Sequence, residues 1–251
     1  MRARIQLAVD LGMLAPGQRL PTPRESAEAL EVSEMSVRRA YRLLADDGLV
    51  VSRRGNAGGT FIADRPPLAA GTAVAPAVTA YRSDAEHVHG LIDQRAALEA
   101  GLAARASGVR DPDQLDSLRD LVQRMRDAAD WAEFRVADTA FHALLAQASG
   151  LPAAAALHHR LSHELYAYFI PYRLDYLRAS NEEHADLVDA LERRDAGAAA
   201  ALAFAHVHEL HDSMYVGLSG EGELREERIV EEQIAEEQMT GEQIVEERIG
   251  D

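Results

Sequence analysis

Residues 16–63 read PGQRLPTPRESAEALEVSEMSVRRAYRLLADDGLVVSRRGNAGGTFIA, and the order of signals within them decides the fold. Thr22 is placed to accept from the Glu25 amide, Pro23 stands at the first helical position, and Glu25 can reach back to the Thr22 amide. This capping box starts a helix at Pro23. After Leu30 the Glu31-Val32 turn leads to Ser33, a second N-cap. The run behind it carries Val37, Tyr41 and Leu44 on one face and Arg38, Arg39 and Arg42 on the other, the pattern of an amphipathic helix. Two short strands follow, joined at a glycine-rich turn. Helix, turn, helix and hairpin in that order predict a winged helix-turn-helix with a small two-stranded wing. The N-terminal turn of the second helix enters the major groove in known docking geometries, which sets Ser33, Glu34, Met35, Ser36 and Arg38 against DNA.

Charge agrees with that reading locally. Residues 1–65 hold ten arginines against eight acidic residues, a net of about +2, whereas the whole chain is −16. A basic patch on an acidic protein still makes a phosphate footprint, because charge beyond a Debye length of about 8 Å is screened. The 251 residues suffice for two cores, and 47% hydrophobic content with only 5% aromatic predicts a mainly α chain packed by Ala, Leu and Val. Cysteine is absent, which excludes disulfides, thiolate nucleophiles and Cys-ligated zinc. No apolar run reaches the length of a membrane span, and Met1 is followed by a charged helix, so a soluble cytoplasmic protein with no membrane partner is expected. All 26 basic residues are Arg, which reads as coding bias more than chemistry.

Composition also divides the chain. Residues 1–65 form the DNA-binding unit, and residues 66–82 read as a linker, since DRPPLAAGTAVAPAVT from Asp64 to Thr79 holds three prolines, a glycine and no helical period. Residues 83–218 are nearly continuous helical pattern, broken at Gly108 to Pro112, Gly150 to Pro152, Ile170 to Pro171 and Ala179 to Asn181. Five to seven helices in an antiparallel bundle are expected, with an interior able to hold a ligand. Residues 219–251 repeat a five-residue unit, EERIV, EEQIA, EEQMT, GEQIV, EERIG. Five residues advance an ideal helix by about 500°, so its Ile and Met positions form no continuous stripe. With twelve acidic residues against three basic, this segment reads as a solvated acidic tail.

Histidines carry the second signal. Asp138 and His142 stand four apart in FRVADTAFHALLAQASG and so leave one helix face a turn apart. His184 lies in SNEEHADLVDALERRD and His206 in AALAFAHVHEL. One carboxylate and three imidazoles from three helices suit a divalent first-row ion, zinc or nickel, with open positions. By residues alone the set is equally compatible with surface or core histidines.

The blocks PGQRLPTPRE, VSEMSVRRAYRLLADDGLV and SRRGNAGGTFIA resemble the DNA-binding domain of the GntR family of bacterial transcription regulators. That resemblance implies DNA contacts from Arg24, Ser33, Ser36, Arg38, Gly58 and Gly59. The family commonly has arginine where this chain has Glu34, which implies a different operator. Residues from about Ala85 to Leu210 are similar to the FCD ligand-binding domain of the FadR subfamily. The matching features are LIDQRAALEAGLAARAS, the D-x-x-x-H block, Glu183-His184, and an RDA motif whose histidine, eleven residues on from Asp195, is His206. The resemblance implies metal ligands Asp138, His142, His184 and His206. It also implies a small organic acid beside the metal, held by Arg95 with Arg173 as a second candidate, and a homodimeric regulator, a repressor, on a palindromic operator of double-stranded DNA. Arg95 and Glu99 one turn apart read equally as an ion pair that orients the helix. Tyr166, Tyr168, Tyr172 and Tyr176 are further candidates for the cavity wall. The family's Ser-Gly-Asn is Ser149-Gly150-Leu151 here, one polar group fewer. His208 points about 200° from His206 on an ideal helix and serves as a control for the ligand set. No catalytic residue is expected; a metal-dependent enzyme acting on a small carboxylate is the alternative.

Overall fold

The computed structural model describes residues 2–10, 13–55, 58–67, 75–169 and 171–213. The acidic repeat and residues 68–74 of the expected linker lie outside them. The N-terminal unit runs α1 (Arg2–Asp10), β1 (Arg19–Leu20), α2 (Pro23–Ala29), α3 (Glu34–Asp46), β2 (Val50–Arg53) and β3 (Gly59–Ile62). Both caps form as the sequence dictates. The Glu25 amide donates to Thr22 Oγ1 at 3.3 Å, the Thr22 amide to Glu25 Oε2 at 2.7 Å, and the Ser36 amide to Ser33 Oγ at 3.1 Å. Caps of this kind contribute about 1 kcal/mol each. Val37, Ala40, Tyr41 and Leu44 face inward. The Tyr41 hydroxyl donates to the Pro21 carbonyl at 3.0 Å and meets Ser26 Oγ at 2.7 Å, and burial pushes its pKa up to about 12.

The wing is a three-stranded antiparallel sheet of order β1-β3-β2, one strand more than the sequence predicts. Arg19 pairs with Phe61 and Leu20 with Thr60. Two residues are too few to display an alternating pattern, so β1 leaves no sequence signal. At the wing tip a Cβ on Gly58 would sit 2.6 Å from the Arg53 carbonyl oxygen and 2.7 Å from that of Gly55. Only glycine lets the hairpin close there.

The C-terminal unit comprises α4 (Ala75–Val109), α5 (Pro112–Asp127), α6 (Trp131–Ala148), α7 (Pro152–Tyr166), α8 (Leu174–Glu192), α9 (Ala196–His208) and α10 (Leu210–Ser213). Three boundaries correct the sequence reading. α4 begins within the expected linker, with Pro76 in its first turn, where a missing N–H is tolerated. α8 runs unbroken through Ala179 to Asn181; Asn181 is buried and its Nδ2 donates to the Val122 carbonyl at 3.0 Å, so its amide bonds across to α5 instead of competing with its own helix. An unforeseen break separates α5 from α6, where Asp130 caps α6 by accepting from the Ala132 and Glu133 amides at 2.9 and 3.0 Å. The bundle core is built mostly of Leu, Val and Ala, with Phe134, Phe141 and Met125 at its centre. Arg110 closes one end of it by donating to the Leu191 carbonyl at 2.8 Å.

The two units share a hydrophobic cluster. Ile5, Val9, Ala27, Tyr41 and Leu44 pack in one group with Trp131, Ala132 and Tyr172 of the bundle. From α1, Arg4 donates to the Phe169 and Tyr166 carbonyls, the second at 3.3 Å. Glu31, whose φ of 53° makes it a left-handed turn residue, meets His163 of α7.

Candidate functional site

Helix geometry brings Asp138, His142, His184 and His206 together, with one ligand atom from each lying within 4.8 Å of the others. α6 supplies the first two, α8 the third and α9 the fourth. His142 Nε2 and His184 Nε2 are 3.3 Å apart, and Asp138 Oδ1 lies 3.5 Å from the first and 3.6 Å from the second. Three lone-pair donors thus face one point. The outer nitrogens explain the orientation: His142 Nδ1 is bonded to Glu99 Oε1 at 2.5 Å and His206 Nδ1 to Glu183 Oε2 at 2.6 Å. A carboxylate behind an imidazole holds the proton on Nδ1 and leaves Nε2 for the interior. These donors fit a divalent transition ion.

Electrostatics follow from burial and pairing. Burial, the largest single influence, would lower the His142 pKa, but the Glu99 and Asp138 carboxylates together outweigh it and raise the value to about 10. Glu99 resists burial in the same way and is held well below the usual carboxylate range by His142 and Arg95. Asp138 is likewise held low against burial, by His142 and by Arg135, whose Nη1 donates to Asp138 Oδ2 at 2.7 Å. Burial pushes His184 well down, with His206 and His142 adding to it, which keeps the ring neutral and its lone pair available.

A cavity opens beside these residues, lined by Arg95, Arg135, Asp138, His142 and His206 on its polar side and by Trp131, Phe169, Tyr172 and Tyr176 on its aromatic side. Arg95 Nε donates to Glu99 Oε2 at 3.1 Å, so the ion pair and the place at the cavity wall, read from sequence as alternatives, coexist. Arg173 is a correction. It precedes the first turn of α8, is exposed, pairs with Asp175 at 2.6 Å and lies outside the cavity wall. Arg135 occupies the position of a second arginine, its guanidinium 3.3 Å from the Tyr166 ring centroid. Of the four tyrosines, Tyr172 and Tyr176 line the cavity; Tyr166 and Tyr168 do not.

Four residues here escaped the sequence reading as site members. Glu99 bridges His142 and His158, the latter at 2.7 Å, and was visible only as a partner for Arg95. Arg135 stands three before Asp138, an i, i+3 spacing that signals an ion pair. Glu183 adjoins His184 in sequence yet serves His206. His158 gave no spacing signal at all.

On the winged unit, Arg24, Ser33, Ser36 and Arg38 are all exposed. Ser33 and Ser36 hydroxyls meet at 2.8 Å, and Arg38 Nε donates to Glu34 Oε1 at 2.9 Å. Met35 is 79% exposed between them, an apolar tip on a polar helix face. Gly59 has φ 152° and lies beside the Arg19 guanidinium, a basic group at the wing that sequence reading passed over.

The family model described as "Bacterial regulatory proteins, gntR family" matches residues 2–62, and the FCD domain model matches residues 91–209. A protein of Escherichia coli K12 named as an L-lactate dehydrogenase operon regulatory protein is 28% identical over 222 residues, 84% of this chain and 83% of its own. The HTH-type transcriptional regulator LutR of Bacillus subtilis is 28% identical over 209 residues, covering 80% and 93%. Among solved structures, Streptococcus agalactiae GntR aligns at 25% identity and a TM-score of 0.44 over 84% of this chain and 98% of that one. The chain belongs to the gntR family of bacterial regulatory proteins: it is a transcription regulator whose helix-turn-helix is followed by an FCD effector-binding domain.

Proposed function

We propose that this regulator is of the FadR type and binds one divalent transition ion, zinc or nickel, through Asp138, His142, His184 and His206. It reads a small organic acid beside that ion and works as a cytoplasmic homodimeric repressor of a palindromic operator. The observation that carries the reading is the pair of carboxylates, Glu99 and Glu183, each fixing the outer nitrogen of an inward-facing imidazole. When bound, the ion supplies a Lewis-acid contact for a carboxylate. Charge supports an anion as the ligand: Arg95 and Arg135 are balanced by Glu99 and Asp138, so a divalent ion leaves the site positive. Trp131 Nε1, on the aromatic wall, is buried with no hydrogen-bond partner. An orphaned donor costs about 1–3 kcal/mol, which an accepting group on the ligand would offset. An L-lactate dehydrogenase operon, named for the relative above, concerns a small 2-hydroxy acid, a chemistry this cavity would suit.

The test is metal content of the purified chain together with melting in the presence of small 2-hydroxy and dicarboxylic acids. Bound metal near one per site, and an acid that raises the melting temperature only with metal present, are expected. Absence of metal-dependent stabilisation by any acid would count against the reading. The stabilising acid should be recovered unchanged after prolonged incubation; turnover would favour a metal-dependent enzyme. Glu183→Ala, at a half-exposed residue, should lower metal affinity about 10- to 100-fold without loss of fold, as measured by chelator competition.

For DNA, Arg38→Ala is expected to weaken operator binding by about 1–3 kcal/mol if the guanidinium leaves Glu34 to read a base edge. Arg24→Ala should weaken it as well. Unchanged affinity of both variants in a titration against the operator would rule out docking through α3.

A further inference from the structure

A second group of ligating side chains lies outside the site above. Asp93 stands on α4, His208 ends α9 and His211 lies in α10, and one ligand atom of each falls within 4.8 Å of the others. His211 is the hub. Its Nε2 is 2.9 Å from Asp93 Oδ1, its Nδ1 is 2.5 Å from His89 Nδ1, and its ring centroid is 4.7 Å from that of His208. His89 and Asp93 are four apart and share a face of α4. His208 is two residues beyond His206, about 200° round the helix, and none of Asp93, His208 and His211 lines the cavity.

We infer that Asp93, His208 and His211 form a second site for a divalent transition metal, with His89 holding the His211 ring from behind. Two ligands of a tetrahedral ion with bonds of about 2.0–2.1 Å lie roughly 3.3 Å apart. The His211–Asp93 separation is within a few tenths of an ångström of that, so replacing the Nε2 proton by the ion needs only a small outward shift. The displaced proton leaves to solvent. Binding at Nε2 takes the neutral tautomer of His211 protonated on Nδ1: as the Nε2 proton leaves, Nδ1 takes one up from solvent and donates it to His89 Nδ1, the arrangement in which an outer partner fixes a ligating imidazole. Two imidazoles and one carboxylate select zinc, nickel or cobalt over calcium and magnesium, which take oxygen donors, and leave a fourth position for water. Asp93 and His208 are exposed and His211 is half-buried, so the ion enters without opening the bundle. Once bound it ties α10 to α4. His208, a control for the ligands of the first site, is thereby a ligand in its own right at another.

The experiment is a zinc titration of the full untagged chain in competition with a chromophoric chelator, on the wild type and on His211→Ala, His208→Ala and His142→Ala. Two tight equivalents per chain are expected for the wild type, one for His211→Ala, one for His142→Ala and none for the double variant His142→Ala/His211→Ala. His208→Ala, at an exposed residue that the fold does not need, should lower affinity at the second site at least tenfold. His89→Ala should lower it about 10- to 100-fold. Cobalt loaded into His142→Ala should give the intense visible bands of a tetrahedral site, lost with His211→Ala added. Unchanged stoichiometry and affinity in His211→Ala overturns the inference. So does excess zinc that none of these substitutions alters, which belongs to surface carboxylates. If instead His142→Ala alone leaves binding intact while His211→Ala removes an equivalent, the second site stands and the reading of the first fails.

Discussion

His184→Ala and His142→Ala should each lose the tightly bound ion of the bundle centre and with it most of the metal-dependent rise in melting temperature. An ion that binds only the folded chain stabilises it by about 2.7 kcal/mol at a hundred times its dissociation constant and about 4.1 at a thousand times. At roughly 2–4 °C per kcal/mol for a chain of this size, the difference between metal-loaded and chelated wild-type protein is about 5–15 °C. The physical reason for so large a share is topological. The four residues come from α6, α8 and α9, so a single ion would join three helices, of which α8 and α9 are otherwise linked by the polar contact of Glu183 with His206. Each substitution also removes a buried ring, 2% exposed for His142 and 1% for His184, and so destabilises the chelated protein on its own account. For that reason the quantity to compare is the difference between loaded and chelated melting for each variant, by scanning calorimetry. A metal-dependent rise of wild-type size in both variants would mean that the ion sits elsewhere. The acidic environment sharpens the case for His142. Glu99, fully buried beneath it, is held ionised by His142 and Arg95, so His142→Ala strips a buried carboxylate of its nearest positive partner.

Helical spacing is a local rule, and in the sequence it pairs Asp138 with His142, whereas His184 and His206 join them only through the family resemblance. Asp138 and His142 announce themselves at i, i+4, and the capping box at Thr22 and Glu25 does the same for the winged unit, since both signals need only a few residues of chain. What stayed hidden depends on long-range packing. Glu99 lies 43 residues before His142 and 59 before His158, and nothing in the composition of α4 says which imidazoles will fall beside it. Arg173 shows the opposite error. An arginine near a run of tyrosines looks like a cavity residue, but its position at the start of α8 turns it to Asp175 and solvent, while Arg135, inside α6, faces inward. The break expected at Asn181 failed for a related reason: a polar residue that disfavours helix when solvated is neutralised by the carbonyl it meets on α5. Cluster membership of His208 and His211 needed α9 and α10 to be laid against α4, a juxtaposition no local pattern encodes.

A small acid bound in the cavity should change operator affinity about 5- to 150-fold, a coupling of about 1–3 kcal/mol, most often by weakening it. A ligand shifts the two arrangements of the regulator only by its differential affinity for them, so some physical contact must carry the difference to α3. The shared cluster is the candidate. Tyr172 and Trp131 line the cavity and pack with Tyr41 and Leu44, and Phe169, also a wall residue, offers its carbonyl to Arg4 of α1. A ligand that repositions the aromatic wall therefore acts directly on the packing of the winged unit. Arg95→Ala should abolish the response, but because Arg95 also partners Glu99 its metal content has to be measured alongside. Tyr172→Ala and Arg4→Ala separate the two functions more cleanly: each should keep metal and operator binding, and each should reduce the effector's shift of operator affinity to within about twofold. Should both variants respond with the wild-type fold-change in an operator titration at saturating acid, coupling does not pass through this cluster. Another polar contact between the units, Glu31 with His163, becomes the next link to cut.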